Sequence, residues 1–494
     1  MGVIATASGI HMRSIRAAVL GCLAVVVASS LVTLAPRPAD ARTICRPWSP
    51  DTDHDRIPDC WERRNGLRVG RKDQRSDKDH DSLTAIQEYL IDRWTTQNSI
   101  FRPYQADKAR SRRPHAFLDG YEDLDGDGFF NAAEYTWGTA PLRASSFPQL
   151  PDTGCITVPG RVPADGSMNV TTQLQTVIDT VPDGRCLSFP AGAQYRSNGE
   201  LTIFDRHDFI LVGNGARLFT NVTGRVITDG TDHSERQQLA IVSGSNITVE
   251  GLVIDGPNPR ARFVLVYELE AGVKVSGTQG AVLRDLRIKQ VYGDFVQIGD
   301  WGGGSGNPQP SRDVLITGGD FDVSGRVSVD LSNSSEDVVI DGNSFNKVAR
   351  SGINLEILPG KHVSRLTVSN NIWSKFGLFW VGSQARGPAT DITFVGNQLV
   401  GETMQVKLGP NDASGVRHAN WTFDSNISDT EMHGSEGIYM LRNMDGVTVT
   451  GNVQPFEAGS AGVIFTIDDV CGVTVGENVF TNWVTLFDPA PPAC

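Results

Sequence analysis

Three stretches of this chain place carboxylates at alternating positions and close with a glutamate at the twelfth. They are Asp51-Thr-Asp53-His-Asp55-Arg-Ile-Pro-Asp59-Cys-Trp-Glu62, Asp77-Lys-Asp79-His-Asp81-Ser-Leu-Thr-Ala-Ile-Gln-Glu88 and Asp123-Leu-Asp125-Gly-Asp127-Gly-Phe-Phe-Asn131-Ala-Ala-Glu134. Calcium takes six to eight hard oxygens, and a tight loop turns positions 1, 3, 5 and 12 inward, with a backbone carbonyl from position 7. The expected ligands are therefore Asp51, Asp53, Asp55, Asp59 and Glu62; Asp77, Asp79, Asp81 and Glu88; and Asp123, Asp125, Asp127, Asn131 and Glu134. The sharp turn at position 6 favours glycine, and only the third stretch has one there, Gly128; Arg56 and Ser82 take that place in the others. Ala85 leaves the second without a side-chain ligand at position 9.

A second set has catalytic chemistry but is scattered along the chain: Asp294, Asp330, Glu356 and Lys407, with Asn354, Gln405, Phe379, Tyr439 and Trp301 as polar and aromatic companions. Two carboxylates roughly 5 Å apart hydrolyse a glycosidic bond, one as acid and the other as nucleophile. Alternatively the acids hold calcium against a uronate carboxylate while Lys407, Arg350 or Arg386 removes a proton by β-elimination. Such a lysine would need its pKa lowered by burial or nearby positive charge. Both chemistries require a fold that gathers these residues.

Repeats supply that fold. Asn343, Asn371, Asn397, Asn426, Asn452 and Asn478 each follow by five residues an apolar opener (Val338, Leu366, Ile392, Trp421, Val447 and Val473), and the openers are spaced 28, 26, 29, 26 and 26 residues apart. A fixed period in this range means stacked repeats. Leucine-rich repeats would place a helix-like segment downstream, where this chain has further alternating runs such as Gly352–Ile357; a propeller needs a longer repeat. The pattern predicts a mainly β fold, a right-handed parallel β-helix over residues 155–494. A helix over 169–181 should plug its first coil, because Val170, Leu174, Val177, Ile178 and Val181 share one helical face. The repeated asparagines are expected to turn each corner in the left-handed conformation and to bond neighbouring backbone.

Aligning Val327, Ile353, Leu378, Met404, Ile438 and Val463 as inward residues sends Asp330, Asn354, Glu356, Phe379, Gln405, Lys407 and Tyr439 outward on one face. Coils stack ~4.8 Å apart, which predicts Asp330 and Glu356 within roughly 5 Å of each other. Asp294 extends the stripe by one coil, and Trp301, in the Gly-rich run that follows, is offered to a sugar face.

Both ends of the chain bear on location. Arg13 and Arg16, the apolar run from Ala17 to Ala35 and Ala39-Asp-Ala41 read as an export signal over residues 1–41. Removing Cys22 with it leaves six cysteines, an even number suited to an oxidising compartment. Sequence proximity suggests Cys45–Cys60, Cys155–Cys186 and Cys471–Cys494, with other pairings open. The formal charge of −13 argues against general nucleic-acid binding.

The stretches Asp51 to Leu67 and Asp123 to Pro141 resemble bacterial thrombospondin type 3 repeats, with an EF-hand-like ligand pattern. The resemblance implies a calcium-rigidified spacer with short helices over residues 42–145. The passage from Ala164-Asp-Gly through Leu187-Ser-Phe-Pro-Ala-Gly-Ala-Gln-Tyr195 resembles the entry to pectate-lyase-like β-helices, and the likeness covers about residues 155–485. It implies polysaccharide processing, as in pectate lyases, polygalacturonases, alginate lyases and epimerases. The polygalacturonase motif set is not assembled: Arg287-Ile-Lys289 stands alone and there is no Gly-His-Gly. The expectation is a secreted, extracellular, monomeric, calcium-binding protein that processes or binds an extracellular polysaccharide, with no stable membrane insertion once the signal is removed. The alternative is a non-catalytic β-helix adhesin or glycan-binding rod.

Overall fold

In the computed structural model of the protein the described residues are 50–77, 83–98, 119–227, 232–301, 308–383, 385–408, 415–433 and 437–488. The expected export segment 1–41, together with Cys45, Asp79, Asp81 and Cys494, lies outside them. Among the described residues there are four α-helices: α1 (Asp59–Asn65), α2 (Ala85–Asn98), α3 (Asn131–Trp137) and α4 (Thr171–Thr180). From residue 156 onward the described residues are otherwise strands and turns, with one 3-10 turn at Leu265–Tyr267, wound as a parallel β-helix.

Each coil contributes to three parallel ladders. A typical coil runs through Ser335–Asp341, Ser344–Val348 and Ile353–Glu356 before the next begins at Val363. The second of these strands belongs to a 12-stranded sheet; the first and third belong to ladders that merge into a 21-stranded sheet. They merge because Gly437–Thr450 and Val463–Val475 are long enough to serve both. The apolar openers pair in register, Val338 with Leu366, then Ile392, Trp421 and Val447. Alternation points them into one continuous core. Inside it aromatic rings stack coil on coil: Phe321 on Phe345 at 4.9 Å and Phe345 on Trp373 at 5.0 Å.

The asparagines form a ladder and bond neighbouring backbone as expected, but they do not themselves take the left-handed conformation. The left-handed residue at each corner is the one before it: Gly342 and Asn370 (φ +66° and +53°), then Gly396, Ser425 and Gly451. Asn343, Asn371, Asn397, Asn426 and Asn452 turn inward and are buried, and Asn478 at the end of the ladder is half-buried. Each side-chain oxygen accepts the backbone N–H and the amide of the asparagine one coil earlier. Asn371 Oδ1 takes Asn343 N and Nδ2 at 2.9 Å, and Asn397 Oδ1 takes Asn371 N and Nδ2 at 3.0 and 3.1 Å. Each amide also donates to a core-side carbonyl, as Asn397 Nδ2 does to Val368 at 2.8 Å. The reason is polar satisfaction: corner backbone cut off from water must find partners, and a short amide provides both donor and acceptor.

Helix α4 lies across the first coil and buries Val170, Leu174, Val177, Ile178 and Val181. Cys155 and Cys186 are bridged beside it. Cys60 and Cys471 are disulfide-bonded as well, and their expected partners Cys45 and Cys494 lie outside the described residues. Helix α3 packs on α4. Among the described residues no helix is long and apolar enough to cross a membrane.

Asn397→Ala should destabilise the fold by about 2–3 kcal/mol, because it strands two buried donors of Asn371 as well as removing its own bonds. Asn478→Ala also strands two donors, those of Asn452, but at a half-buried site where water can replace the acceptor, and should cost about 1 kcal/mol. Asn370→Gly should be neutral, since it keeps the left-handed corner. Chemical denaturation of the three variants checks the order.

Candidate functional site

The ladder running through Leu239–Val242, Val273–Ser276, Val296–Gly299, Val329–Ser332, Ile353–Glu356, Val381–Ser383 and Val406–Leu408 presents the face on which the scattered polar set was placed. Its register differs from the expected one. The inward row is Val329, Ile353, Val381, Val406 and Tyr439. Asp330 therefore pairs with Asn354, and Glu356 with Ser332. Leu378, expected inward, is 47% exposed. Tyr439, expected to face substrate, is 0% exposed; it stacks on Phe465 at 5.1 Å and its hydroxyl donates to Met404 Sδ. The slip arises because turns between the ladders vary in length, so counting from the asparagine corner does not fix the strand that follows.

A residue that sequence reasoning overlooked organises the site. The guanidinium of Arg326 is nearly buried and gathers four carboxylates: Asp294 at 2.8 Å, Asp330 at 3.6 Å, Glu268 at 3.7 Å, and Glu356 on Nη2. Asp330 is 0% exposed, and its second oxygen is held by Asn354 Nδ2 at 2.7 Å while Ser332 donates to the first. Asp294 is 1% exposed and also accepts Val327 N at 3.2 Å. Burial pushes the Asp294 carboxyl well above its ordinary range, against the pull of Arg326. Glu356 is raised too, first by burial and then by the charge of Asp330, with Arg326 opposing. Arg326 would be lowered by burial alone, but the carboxylates of Asp294, Asp330 and Glu356 raise it instead. The available sequence signal was an arginine four residues before Asp330, at the corner one coil after Tyr292-Gly-Asp294.

Above this cluster opens a cavity of about 370 Å3. Glu268 and Glu356 are the carboxylates that reach it, with side chains 28% and 40% exposed. Arg350 and Lys407 also line it. Each rests on an aromatic face, Arg350 4.9 Å from Phe263 and Lys407 5.2 Å from Phe379. Asn354 and Phe379 line the cavity as well; Gln405, Tyr439, Asp330, Asp294 and Trp301 are not in its wall. Trp301 lies further toward the first coils, edge-on to Phe204 at 5.4 Å.

The acidic loops form a second candidate centre. Ligand oxygens of Asp51, Asp53 and Asp55 lie within 4.8 Å of one another, as do those of Asp123, Asp125 and Asp127. Both loops are wound alike: the first aspartate accepts the position 5 and 6 amides (Asp55 and Arg56; Asp127 and Gly128). Arg56 takes the left-handed turn, φ +79°, that Gly128 makes at +95°. Asp59, expected as a ligand, instead accepts Thr52 N and Oγ1 at 2.7 and 2.8 Å from the start of α1. Asp73, which sequence spacing did not suggest, groups with Asp55 and Glu62 within 4.8 Å. Asn131 Oδ1 accepts Leu124 N at 3.4 Å. Of the second loop, Asp77 and Glu88 are described, Glu88 buried.

The donor set fits a hard dication. Both oxygens of Glu62, and one each of Asp53, Asp55, Asp125, Asp127 and Glu134, are buried without a hydrogen-bond partner, which an unpaired carboxylate does not tolerate. Burial and the neighbouring aspartates push Glu62 up to about 7 and Glu134 up to about 8.

No protein-family model matches this chain, and no curated protein does. Solved structures similar in winding include the surface protein and adhesin PfbA of Streptococcus pneumoniae, 12% identical over 66% of this chain and 96% of that one, TM-score 0.47. A family 28 exopolygalacturonase of Yersinia enterocolitica is 13% identical over 65% and 76%, TM-score 0.45. A Paenibacillus alginate lyase is 14% identical over 62% and 97%, TM-score 0.39. At such identities the likeness is one of fold alone.

Arg326→Met should cost about 3–5 kcal/mol by leaving Asp294 and Asp330 buried and unpaired. Adding Asp294→Asn should recover part of it, as the double variant's denaturation midpoint would show.

Proposed function

We propose that this is a secreted parallel β-helix protein that cleaves an extracellular polysaccharide in the cavity above Arg326, and that its acidic loops bind calcium. The observation that carries the first part is the polarity of the cavity. Carboxylates at its base are tied to one guanidinium, while Arg350 and Lys407, held on aromatic rings, stand free of any described carboxylate partner and face the opening. Such a cavity suits a hydroxyl-rich chain bearing acidic groups. Glu356 serves as the proton donor, because burial and the charge of Asp330 raise its pKa above that of an ordinary glutamate, against the pull of Arg326. Glu268 is the second carboxylate within reach, and the Asp330 and Asp294 carboxylates hold Arg326 in place. This replaces the Asp330–Glu356 pair expected from spacing. Lys407 and Arg350 anchor the glycan.

A second reading, binding without cleavage, is favoured by the same cluster, since one guanidinium already engages every carboxylate at the base. New reducing ends or unsaturated ends released from a panel of acidic and neutral glycans separate hydrolysis, elimination and mere binding. On the alkaline side, activity should fall as pH rises through the raised pKa of Glu356. Glu356→Gln should lower kcat by about 100-fold or more. Wild-type activity on some glycan that is untouched by Glu356→Gln would remove the assignment.

Calcium is supported by the two wound loops and their orphaned oxygens. Glu62, Asp55 and Asp73 would hold one ion with Asp51 and Asp53, and Glu134 would join Asp123, Asp125 and Asp127 in another; the ion would supply charge neutralisation and rigidity. Calcium should raise the melting temperature, and titration calorimetry should show weaker binding after Asp73→Asn or Glu134→Gln. Arg56→Gly should stabilise the first loop by about 1 kcal/mol by relieving the left-handed backbone. Identical calcium affinity in Asp73→Asn would exclude that residue as a ligand.

A further inference from the structure

A larger cavity, about 910 Å3, opens on the same face nearer the first coils. Its floor is the strands Leu239–Val242 and Val273–Ser276, through Ala240 and Lys274. One wall is formed by Arg225, Val226 and Ile227 and by Ser234 to Gln237, with Ile227 and His233 in an antiparallel bridge. This wall is pinned from beneath by Glu270, 3% exposed. Glu270 accepts Gly224 N and Ser234 Oγ at 2.6 Å and pairs with Arg236 at 3.2 Å. The opposite wall is Trp301, braced edge-on by Phe204. A buttressed polar wall, a half-buried lysine in the floor and a fixed indole make a built recess rather than a loose surface fold.

Register ties this recess to the cavity above Arg326. Lys274 pairs with Gln297, Gln297 with Asp330, Asp330 with Asn354, Asn354 with Gly382 and Gly382 with Lys407. These six residues form one row, five coil steps long, hence ~24 Å. Between the two cavities the row itself is low, with Asp330 0% exposed. Gln297 is 8% exposed and lies against Ser332, to which Nε2 donates at 3.2 Å, and the neighbouring row passes through Gly299.

We infer that the recess at Trp301 and Lys274 is a remote subsite for the same glycan chain that occupies the cavity above Arg326, with one sugar ring stacked on Trp301 and the chain running along this row. The inference rests on the reading of that cavity as a glycan site and adds to it a length requirement. A short fragment fills only the cavity above Arg326, whereas a chain spanning several rings end to end touches both. Two contacts on one chain reinforce each other because the second is made at high effective concentration.

Size-graded oligogalacturonides, oligoalginates and xylan fragments of about three to eight units, titrated calorimetrically against the full chain, test it. The affinity of the wild type should rise at least about tenfold from the shortest to the longest member of the series that binds. In Trp301→Ala and Lys274→Met the long fragment should bind no better than the short one, whose affinity stays at the wild-type value. Should Trp301→Ala weaken the short fragment as well, Lys274→Met decides. A flat length dependence, or Lys274→Met with wild-type affinity for the long fragment, overturns the remote subsite while leaving the glycan reading intact, provided that Lys407→Ala weakens the short fragment. Binding of no series at any length overturns both.

Discussion

In-register parallel pairing of coils is the constraint on which everything else in this molecule depends. Pairing fixes which side chains face the core and which line up on a face, and a slip of one residue exchanges the two sets. The buried asparagines enforce it at one corner. Each can satisfy the corner backbone of its neighbour only when the coils are aligned, so a shifted coil would leave amides and carbonyls unpaired in a dry environment. The stacked Phe321, Phe345 and Trp373 add a dispersive contact that also lapses on a shift. Polar and aromatic columns thus select the same register from two directions.

A fold held so tightly can carry an electrostatic arrangement that would be unstable elsewhere. Asp294 and Asp330 are buried carboxylates, each costly without a partner. One arginine compensates both and reaches two more exposed acids, so the buried pair sets the guanidinium and the guanidinium in turn sets Glu268 and Glu356. The order of causation runs from core to cavity. The carboxylates that reach the cavity are placed through Arg326 by two acids, Asp294 and Asp330, that lie outside its wall.

Much of the fold was legible in the amino-acid sequence because periodicity reports stacking directly: the openers, the asparagine column and the cap helix all follow from spacing. The face was less legible. Asp330, Asn354, Glu356 and Lys407 were correctly assigned to one side of the coil. Tyr439 and Leu378 were misassigned, because the corner between ladders varies in length and sequence counting cannot see it. Arg326 escaped because an arginine beside an apolar strand reads as surface charge until the acids around it are known to be buried. Asp73 was hidden for a similar reason: a local loop pattern describes only acids within the loop, whereas Thr52 holds the nearby Asp59 and the chain returns Asp73 to the group of Asp55 and Glu62.

The third acidic loop shows how the two kinds of structure are joined. Glu134 lies on α3, and three residues later on the same short helix Trp137 packs against the core of the β-helix. Helix α3 rests on α4, and Tyr121 Oη donates to Asp179 Oδ2 of that cap at 3.2 Å. A seven-residue helix is too short to hold its shape alone. It is held on one side by the cap and on the other by the loop that Glu134 closes. A cation that rigidifies the loop therefore also rigidifies the surface on which the first coil is plugged. The cap in turn covers strand edges that would otherwise pair with other chains. On this argument the acidic loops are part of how the coil begins, and their charge matters to the folded rod as much as to any ion they hold.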